Sequence, residues 1–211
     1  MPTALNGSPT SRVAIVTGGS RGVGRATIHR LAARGYAIVV NYLHDQRAAE
    51  STVEAILAGN GNAMAVRADV ADDLDVQRLF AETIKAFGDV DVVVHTAGSR
   101  NNTRAVLVVN REAARHLRDG GAIVNLSSSA GDSSLRTHGL YAATKATTSA
   151  LTRALALELR GRGISVNAVS LEAHALCVPD RVADVIAYLL SEHGHCLTGQ
   201  MLRVGDPGLR P

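Results

Sequence analysis

A tyrosine and a lysine stand four residues apart in the segment Tyr141-Ala-Ala-Thr-Lys145. The chain has 22 Lys plus Arg residues, and only Lys85 and Lys145 are lysines, so a lysine at this position departs from the chain's general use of arginine. On a helix, residues i and i+4 lie on one face, and a neighbouring ammonium lowers a phenol pKa from about 10. The pair predicts a group that exchanges a proton with a carbonyl or alcohol oxygen near neutral pH. The alternative is a chance pair on an exposed helix surface.

A glycine-rich segment, Thr17-Gly-Gly-Ser-Arg-Gly-Val-Gly24, follows the first apolar run of the chain. Glycine permits positive φ and a close approach of the backbone to a ligand. A helix that starts there offers free N–H groups and a positive dipole end to an anion. An ordinary strand–helix turn is the alternative, but the position after the first strand of a repeated strand–helix pattern favours a dinucleotide pyrophosphate site.

Short apolar runs alternate with longer segments of helical spacing along the chain. The runs are 12–17, 36–41, 62–67, 91–95, 121–126, 164–169 and 199–204, and the helical segments are 22–34, 46–58, 71–87, 103–118, 139–161 and 180–192. Continuous runs rich in β-branched residues are typical of strands buried on both faces. The pattern predicts an α/β fold, a Rossmann-type doubly wound seven-stranded parallel sheet flanked by helices. We expect a single catalytic domain at 12–211 after a flexible arm at 1–11.

Composition excludes several classes of function. The net charge of +3 comes from mixed Arg and acidic residues without a basic run, and aromatic residues are 3%, so a nucleic-acid interface is not expected. Two cysteines make no disulfide framework, and His193, His195 and Cys196 are too tightly spaced, without a second ligand pair, to predict a metal site. No apolar run suits a signal peptide or a membrane span. We expect a soluble, cytoplasmic protein.

Six segments resemble the motifs of the short-chain dehydrogenase/reductase family, in the family's order. They are TGGSRGVG (17–24), ADV (68–70), HTAG (95–98), NLSSSAG (125–131), YAATK (141–145) and VNAVS (166–170). The resemblance extends from about Arg12 to Val204, and the overall sequence pattern is most similar to that of 3-oxoacyl-[acyl-carrier-protein] reductases. It implies an NADP(H)-dependent ketoreductase or alcohol dehydrogenase. A non-redox dehydratase, isomerase or cyclase that uses Tyr141 for acid–base chemistry, or a catalytically weak nucleotide-binding protein, remains the alternative.

The resemblance implies a catalytic set of Asn110, Ser128, Tyr141 and Lys145. Ser128 stands thirteen residues before Tyr141, and its neighbours Ser127 and Ser129 rank behind it. Asn110 is the candidate for the residue that holds a water for proton relay. Tyr141 and Lys145 also contact the cofactor, and the other implied cofactor-binding residues are Gly18, Ser20, Arg21, Gly22, Val23, Gly24, Asn41, Tyr42, Asp69, Val70, Ala97 and Gly98.

The second strand predicts which nucleotide binds. Proteins that prefer NAD place an acid at the end of this strand, to bind the ribose 2′-hydroxyl, but this chain has Asn41 there and Asp45 only later. Arg21 lies in the glycine segment, where a 2′-phosphate would be near, and a guanidinium binds phosphate well. We expect NADP(H) to be favoured over NAD(H), although Arg21 could also be a solvated loop cation.

Three departures from the family pattern bear on function. HTAG stands where the family has Asn-Asn-Ala-Gly, and the stretch 98–128 is shorter than in the family. Only about eight residues join the sixth strand to the last helix, where the family has a longer lid. Such a link has the length of an ordinary loop. We expect a shallow, solvent-exposed substrate site that takes a small molecule or a carrier-tethered acyl group. We also expect a homo-oligomer, a dimer or a tetramer.

Overall fold

The computed structural model describes residues 11–97, 102–128, 139–171 and 179–205 of the 211-residue chain, with the backbone alone at residues 102, 128 and 139–145. The strands are β1 Val13–Thr17, β2 Ala37–Tyr42, β3 Ala63–Arg67, β4 Val90–His95, β5 Leu117–Ser128, β6 Ser165–Leu171 and β7 Met201–Val204. The helices are α1 Gly22–Ala32, α2 Gln46–Ala58, α3 Asp73–Phe87, α4 Asn102–His116, α5 Gly139–Glu158 and α6 Pro179–Leu189, with a 3₁₀ turn at Leu159–Arg162.

The seven strands form one parallel sheet in the order β3-β2-β1-β4-β5-β6-β7. The order reverses between β1 and β4, where Thr17 pairs with His95. In open α/β sheets, ligands bind at the carboxyl ends of the strands beside such a reversal. The predicted doubly wound fold is confirmed, and it places the glycine segment at this position.

Two apolar layers enclose the sheet because successive residues of a buried strand face opposite sides. Val92 and Val94 of β4 pack in the layer that contains α1, α2 and α6. Val93 packs in the other layer, with residues of α3, α4 and α5, of which Phe80 is among the largest fully buried side chains. This burial on both faces explains why the strands read as continuous apolar runs.

Several observed helix ends differ from the predicted ones by one to three residues, and two of the differences have a clear physical cause. Helix α3 begins at Asp73 and not at residue 71, because the carboxylate of Asp72 caps it by accepting a hydrogen bond of 2.9 Å from the Asp75 amide. Helix α4 was expected to extend to residue 118, but it ends at His116, and Leu117 pairs with Val90 in the sheet.

The start of β5 explains the second correction. After Leu117 the pairing is interrupted and resumes at Ala122 opposite Val92. Gly120 adopts a φ of +76° in the interruption, a conformation in which glycine is favoured. The helical periodicity therefore stops two residues earlier than the sequence pattern indicates.

Candidate functional site

Gly18 in the turn after β1 and Gly24 in the first turn of α1 leave no room for a side chain. Gly18 has a φ of +66°, and a Cβ added to it would lie 2.8 Å from Cα of Ala97. A Cβ added to Gly24 would lie 2.4 Å from the carbonyl oxygen of Gly18. The turn after β1, the first turn of α1 and Ala97, two residues after β4, are therefore in close backbone contact, and the close approach to a ligand remains a prediction.

The N-terminus of α1 opens next to this turn. The helix begins at Gly22, and among the described residues no side chain caps it at Arg21. The first N–H groups of a helix have no partner within the helix, and together with the dipole they attract an anion. The exposed residue Arg21 adds a guanidinium at the same place. This end of the helix has the donors and the charge that bind a phosphate.

A cavity of about 610 Å³ lies over the carboxyl ends of β1, β2 and β4. Ten of the residues predicted to bind the cofactor line it: Gly18, Ser20, Arg21, Val23, Gly24, Asn41, Tyr42, Asp69, Val70 and Ala97. Sequence reasoning missed seven others: Leu43, His44, Asp45, Ala68, Ala71, Thr96 and Leu126. Ala68, Thr96 and Leu126 lie within the quoted motifs, and the other four lie within three residues of a predicted cofactor-binding residue, so a wider window around each strand end would have found them. Gly98 lies outside the described residues.

Asn41, at the place expected for an acid in NAD-binding proteins, is buried and tied to the neighbouring strand. Its amide nitrogen lies 3.1 Å from the carbonyl oxygen of Ala68 and 3.4 Å from that of Val66, and its own backbone carbonyl accepts from the Gly19 amide at 3.0 Å. The group that would donate to a phosphate oxygen is already engaged. Asn41 therefore shapes the wall of the cavity by joining β2 to the end of β3.

The loop after β3 is held in shape by its own acidic residues. The amide of Asp69 donates to Asp75 at 2.8 Å, and the carboxylate of Asp69 accepts from the Ala71 amide at 2.9 Å. The hydrogen bond from the Asp69 amide and a second bond from Arg78 lower the pKa of Asp75 below its usual value of 3.8. These bonds preorganise the cavity wall that was predicted to contact adenine.

His95 occupies the place of the first Asn in the family's motif, and the structure shows what secures this end of β4. Nδ1 of His95 lies 2.9 Å from the Thr17 hydroxyl, within hydrogen-bond distance. The Thr96 hydroxyl donates to the Thr17 carbonyl at 2.6 Å, and the Ala97 amide donates to the Thr17 hydroxyl at 3.4 Å. Thr17 thus connects β1 to β4 and places Ala97 against the glycine turn.

The predicted catalytic residues lie on three neighbouring elements. Ser128 is the last residue of β5, and Tyr141 and Lys145 lie in the first two turns of α5. Asn110 lies in α4 and is completely buried, with its amide paired to that of Asn125 on β5 at 2.9 and 3.0 Å. The side chains of Ser128, Tyr141 and Lys145 lie outside the described atoms, and their catalytic roles remain predictions.

The connection predicted to be too short for a lid comprises residues 172–178, which lie outside the described residues. Strand β6 ends at Leu171 and α6 begins at Pro179, and Pro is favoured at the first position of a helix. The length of the link agrees with the sequence prediction of about eight residues. The open substrate site inferred from it remains a prediction.

Near the carboxyl end of the described chain, two of the three residues considered as metal ligands contact backbone oxygens. Nε2 of His195 lies 3.1 Å from the Gly163 carbonyl, and the Cys196 thiol lies 3.4 Å from the carbonyl of His193. Within the part of the chain that the structure describes, no group of three or more His, Cys, Asp and Glu residues is arranged to hold a metal ion. In the same part, no helix combines the length and apolarity needed to cross a bilayer.

Known proteins match this chain along most of its length. Residues 12–174 match the family described as short chain dehydrogenase. An uncharacterized oxidoreductase of Methylorubrum extorquens is 32% identical over 235 aligned residues, with 90% of this chain and 95% of the relative covered. Versicolorin reductase 1 of Aspergillus parasiticus is 38% identical over 178 residues, with 75% and 68% covered.

A solved structure shares the fold across almost the whole chain. It is a blue fluorescent protein from a metagenomic library in complex with NADPH, with a TM-score of 0.86, 30% identity, and 94% of this chain and 98% of that chain covered. The family match, the reductase relatives and the cavity at the reversal of strand order agree with one another. The chain belongs to the short chain dehydrogenase family and is a nicotinamide-dependent oxidoreductase.

Proposed function

We propose that this chain is an NADP(H)-dependent ketoreductase, working also as an alcohol dehydrogenase in the reverse direction. The observation that carries the proposal is the tight backbone packing of Gly18, Gly24 and Ala97 next to the N-terminus of α1, which no side chain caps at Arg21. A side chain at either glycine would collide with the chain's own backbone, so these glycines let β1, α1 and Ala97 pack tightly and hold the N-terminus of α1 at the cavity. A dinucleotide pyrophosphate fits both the space and the donors.

The residues predicted for the chemistry suit the reduction of a carbonyl group. A bound nicotinamide nucleotide supplies the hydride for the carbonyl carbon. Ser128 donates a hydrogen bond to the carbonyl oxygen, and Tyr141 donates the proton that this oxygen gains. Lys145 lowers the pKa of Tyr141 and binds the ribose hydroxyls through its ammonium. Asn110 supports the proton relay through its position on α4, because its side chain is fully buried and its amide is already bonded to the Val106 carbonyl and the Asn125 side chain.

Three observations favour NADP(H) over NAD(H). Arg21 is exposed at the rim of the cavity, beside the free end of α1. The position where an NAD-preferring protein has a carboxylate holds the uncharged Asn41, whose amide nitrogen is engaged with β3, and the nearest carboxylate along this segment, Asp45, comes four residues later. The similar structure from the metagenomic library was solved with NADPH.

The substrate that we propose is bulky or carrier-tethered. The link of residues 172–178 is too short for a lid that folds over the substrate and excludes water. A small ketone would have little to hold it against the nicotinamide ring, whereas a large substrate brings its own cover. A neighbouring copy of the chain in a homo-oligomer would be a second source of cover.

The test is a cofactor titration followed by turnover. NADPH and NADH are titrated against the full chain, and the oxidation of NADPH is then followed with small ketones and with acyl-thioester ketones of increasing size. We expect tighter binding of NADPH and faster turnover of the larger ketones. Tight NADPH binding without oxidation by any ketone would favour a non-redox enzyme or a nucleotide-binding protein. Equal affinity for both nucleotides would remove the proposed preference.

A further inference from the structure

Two buried asparagines form a reciprocal amide pair beneath the carboxyl end of β5. The Asn110 amide nitrogen donates to the Asn125 side-chain oxygen at 2.9 Å, and the Asn125 nitrogen donates to the Asn110 oxygen at 3.0 Å. The second hydrogen of Asn110 goes to the Val106 carbonyl at 2.8 Å. Both asparagines have no exposed surface. Asn110 is thus held both by its own helix and by β5.

Asn125 also contacts α5, the helix that carries Tyr141 and Lys145. Its amide nitrogen lies 3.4 Å from the hydroxyl of Thr152 on α5, which is 1% exposed. Position 152 follows positions 141 and 145 by close to three and two helical turns, and position 125 precedes position 128 by three residues. One side chain therefore joins α4, β5 and α5, which together carry Asn110, Ser128, Tyr141 and Lys145.

A buried amide pair constrains geometry more tightly than apolar packing does. Apolar contacts tolerate small displacements, whereas a buried amide that loses its partner bears the full desolvation penalty. The pair therefore fixes both the rotation of α4 and its position along β5. This helix lies within the stretch 98–128 that is short for the family.

We propose that Asn125 is a positioning residue for the reaction, acting through Asn110 to set α4 against β5 and α5. The inference rests on the proposed reductase function. Asn125 does not touch the substrate or the cofactor in this assignment. Its loss should lower kcat while the affinity for NADPH, which depends on the cavity around Gly18 and Arg21, is kept.

The test compares Asn125→Leu with a matched control, Asn167→Leu. Asn167 is also a buried strand asparagine, 1% exposed, but it bonds to the Leu197 carbonyl and the Gln200 amide, away from α4. We expect Asn125→Leu to lower kcat by about ten- to a hundredfold, with NADPH affinity unchanged within about twofold. Asn167→Leu should lower thermal stability and leave kcat per folded molecule near that of the wild type.

A double-mutant cycle separates positioning from general destabilisation. If Asn125 acts through Asn110, adding Asn125→Leu to Asn110→Leu should cause no further loss of kcat. The double variant should also regain thermal stability relative to Asn125→Leu, because no buried amide is then left without its partner.

Asn125→Asp adds a readout that a purely structural role would not produce. A protonated carboxyl has one donor and one acceptor, as the amide requires, and burial raises its pKa. As the pH falls, the kcat of this variant should rise relative to that of the wild type, whereas that of Asn125→Leu should not.

The outcomes distinguish the inference from the proposed function. An active wild type with equally active Asn125→Leu would overturn the inference and leave the function standing. Additive losses in the cycle, or an equal loss in Asn167→Leu, would also overturn it. A wild type that binds NADPH but reduces no ketone would overturn the proposed function and this inference together.

Discussion

The two halves of the site are held in different ways. The nucleotide half, which comprises the segments 17–24, 41–45, 68–72 and 95–97, is built from backbone contacts and short turns at strand ends. The catalytic half, which comprises the predicted catalytic residues Asn110, Ser128, Tyr141 and Lys145, draws them from α4, β5 and α5. Its geometry depends on how whole elements pack against one another.

This difference predicts which changes each half tolerates. In the nucleotide half, most contacts join residues at adjacent strand ends, and they leave no space for an added atom at Gly18 or Gly24. In the catalytic half, the observed connection is a pair of long-range side-chain bonds. The first half should respond to added volume, and the second to the removal of a polar group.

The largest expected effect tests the catalytic half. Tyr141→Phe keeps the ring and removes the acid–base group, so we expect turnover to fall by about a thousandfold while NADPH affinity is kept. The measurement is steady-state NADPH oxidation beside a cofactor titration. Tyr188→Phe, at a half-exposed position on α6, is the control and should retain full turnover. Full turnover in Tyr141→Phe would move the chemistry to another residue.

Gly24→Ala tests the nucleotide half by adding one methyl group. Its Cβ would lie 2.4 Å from the Gly18 carbonyl oxygen, and overpacking of this kind costs about 1–3 kcal/mol. We expect the affinities for NADPH and NADH to fall together by about ten- to a hundredfold. Calorimetric titration measures the affinities and a melting curve confirms folding. Gly161→Ala is the control, because nothing lies within 4 Å of its added Cβ, and it should change neither the NADPH affinity nor the NADH affinity. An unchanged affinity in Gly24→Ala would refute the claim that tight packing at Gly24 supports nucleotide binding.

Arg21→Ala separates the two nucleotides. Hydrogen bonds to charged groups are worth about 1.5–3 kcal/mol, so loss of the guanidinium should weaken NADPH binding by at least about tenfold. NADH binding should hardly change. Arg25→Ala removes an exposed cation one turn further along α1, outside the residues that line the cavity, and serves as the control. Equal losses for NADPH and NADH would show that Arg21 does not recognise the 2′-phosphate.

A truncated cofactor compares the two halves directly. If the short link of residues 172–178 leaves the nicotinamide end open, 2′-phospho-ADP-ribose should bind within about tenfold of NADPH, a difference of about 1.4 kcal/mol. Competition against NADPH fluorescence gives both affinities. A fragment that binds more than about a hundredfold more weakly would show that the nicotinamide ring is held, and that the substrate site is not open.

The smallest expected effect is the pH dependence of the stability that Asp75 gives to the loop after β3. The pKa of Asp75 is lowered by its bonds from the Asp69 amide and Arg78, so the carboxylate stabilises the fold above its usual pKa of 3.8, and this contribution is lost as the pH falls through the lowered value. Because the side chain is 36% exposed, Asp75→Asn should cost only about 0.5 kcal/mol at neutral pH. Urea unfolding at several pH values should show the difference vanishing in strong acid; a difference that persists there would contradict the charge-based cause.

The strand–helix alternation and the glycine segment were readable from the sequence because each depends on residues close together in the chain. Buried strands require continuous apolar runs, and Gly18 and Gly24 are needed within a segment of eight residues, 17–24. The end of α4 was not readable, because the pairing of Leu117 with Val90 overrides a helical pattern that continues to residue 118. The engagement of the Asn41 amide with β3 was hidden for the same reason, since its partners lie 25 and 27 residues away.

By itself, the sequence determined the fold class, the position of the glycine segment and the residue types available for proton transfer. The spacing of Tyr141 and Lys145 is a property of one helix, and the glycine turn is a property of one strand–helix junction. The tertiary structure alone decided that Asn110 meets Asn125 and that Thr152 joins them. Those contacts depend on the packing of two helices against a strand. Because the contacting side chains are 15 and 27 residues apart, no local sequence pattern predicts the contacts.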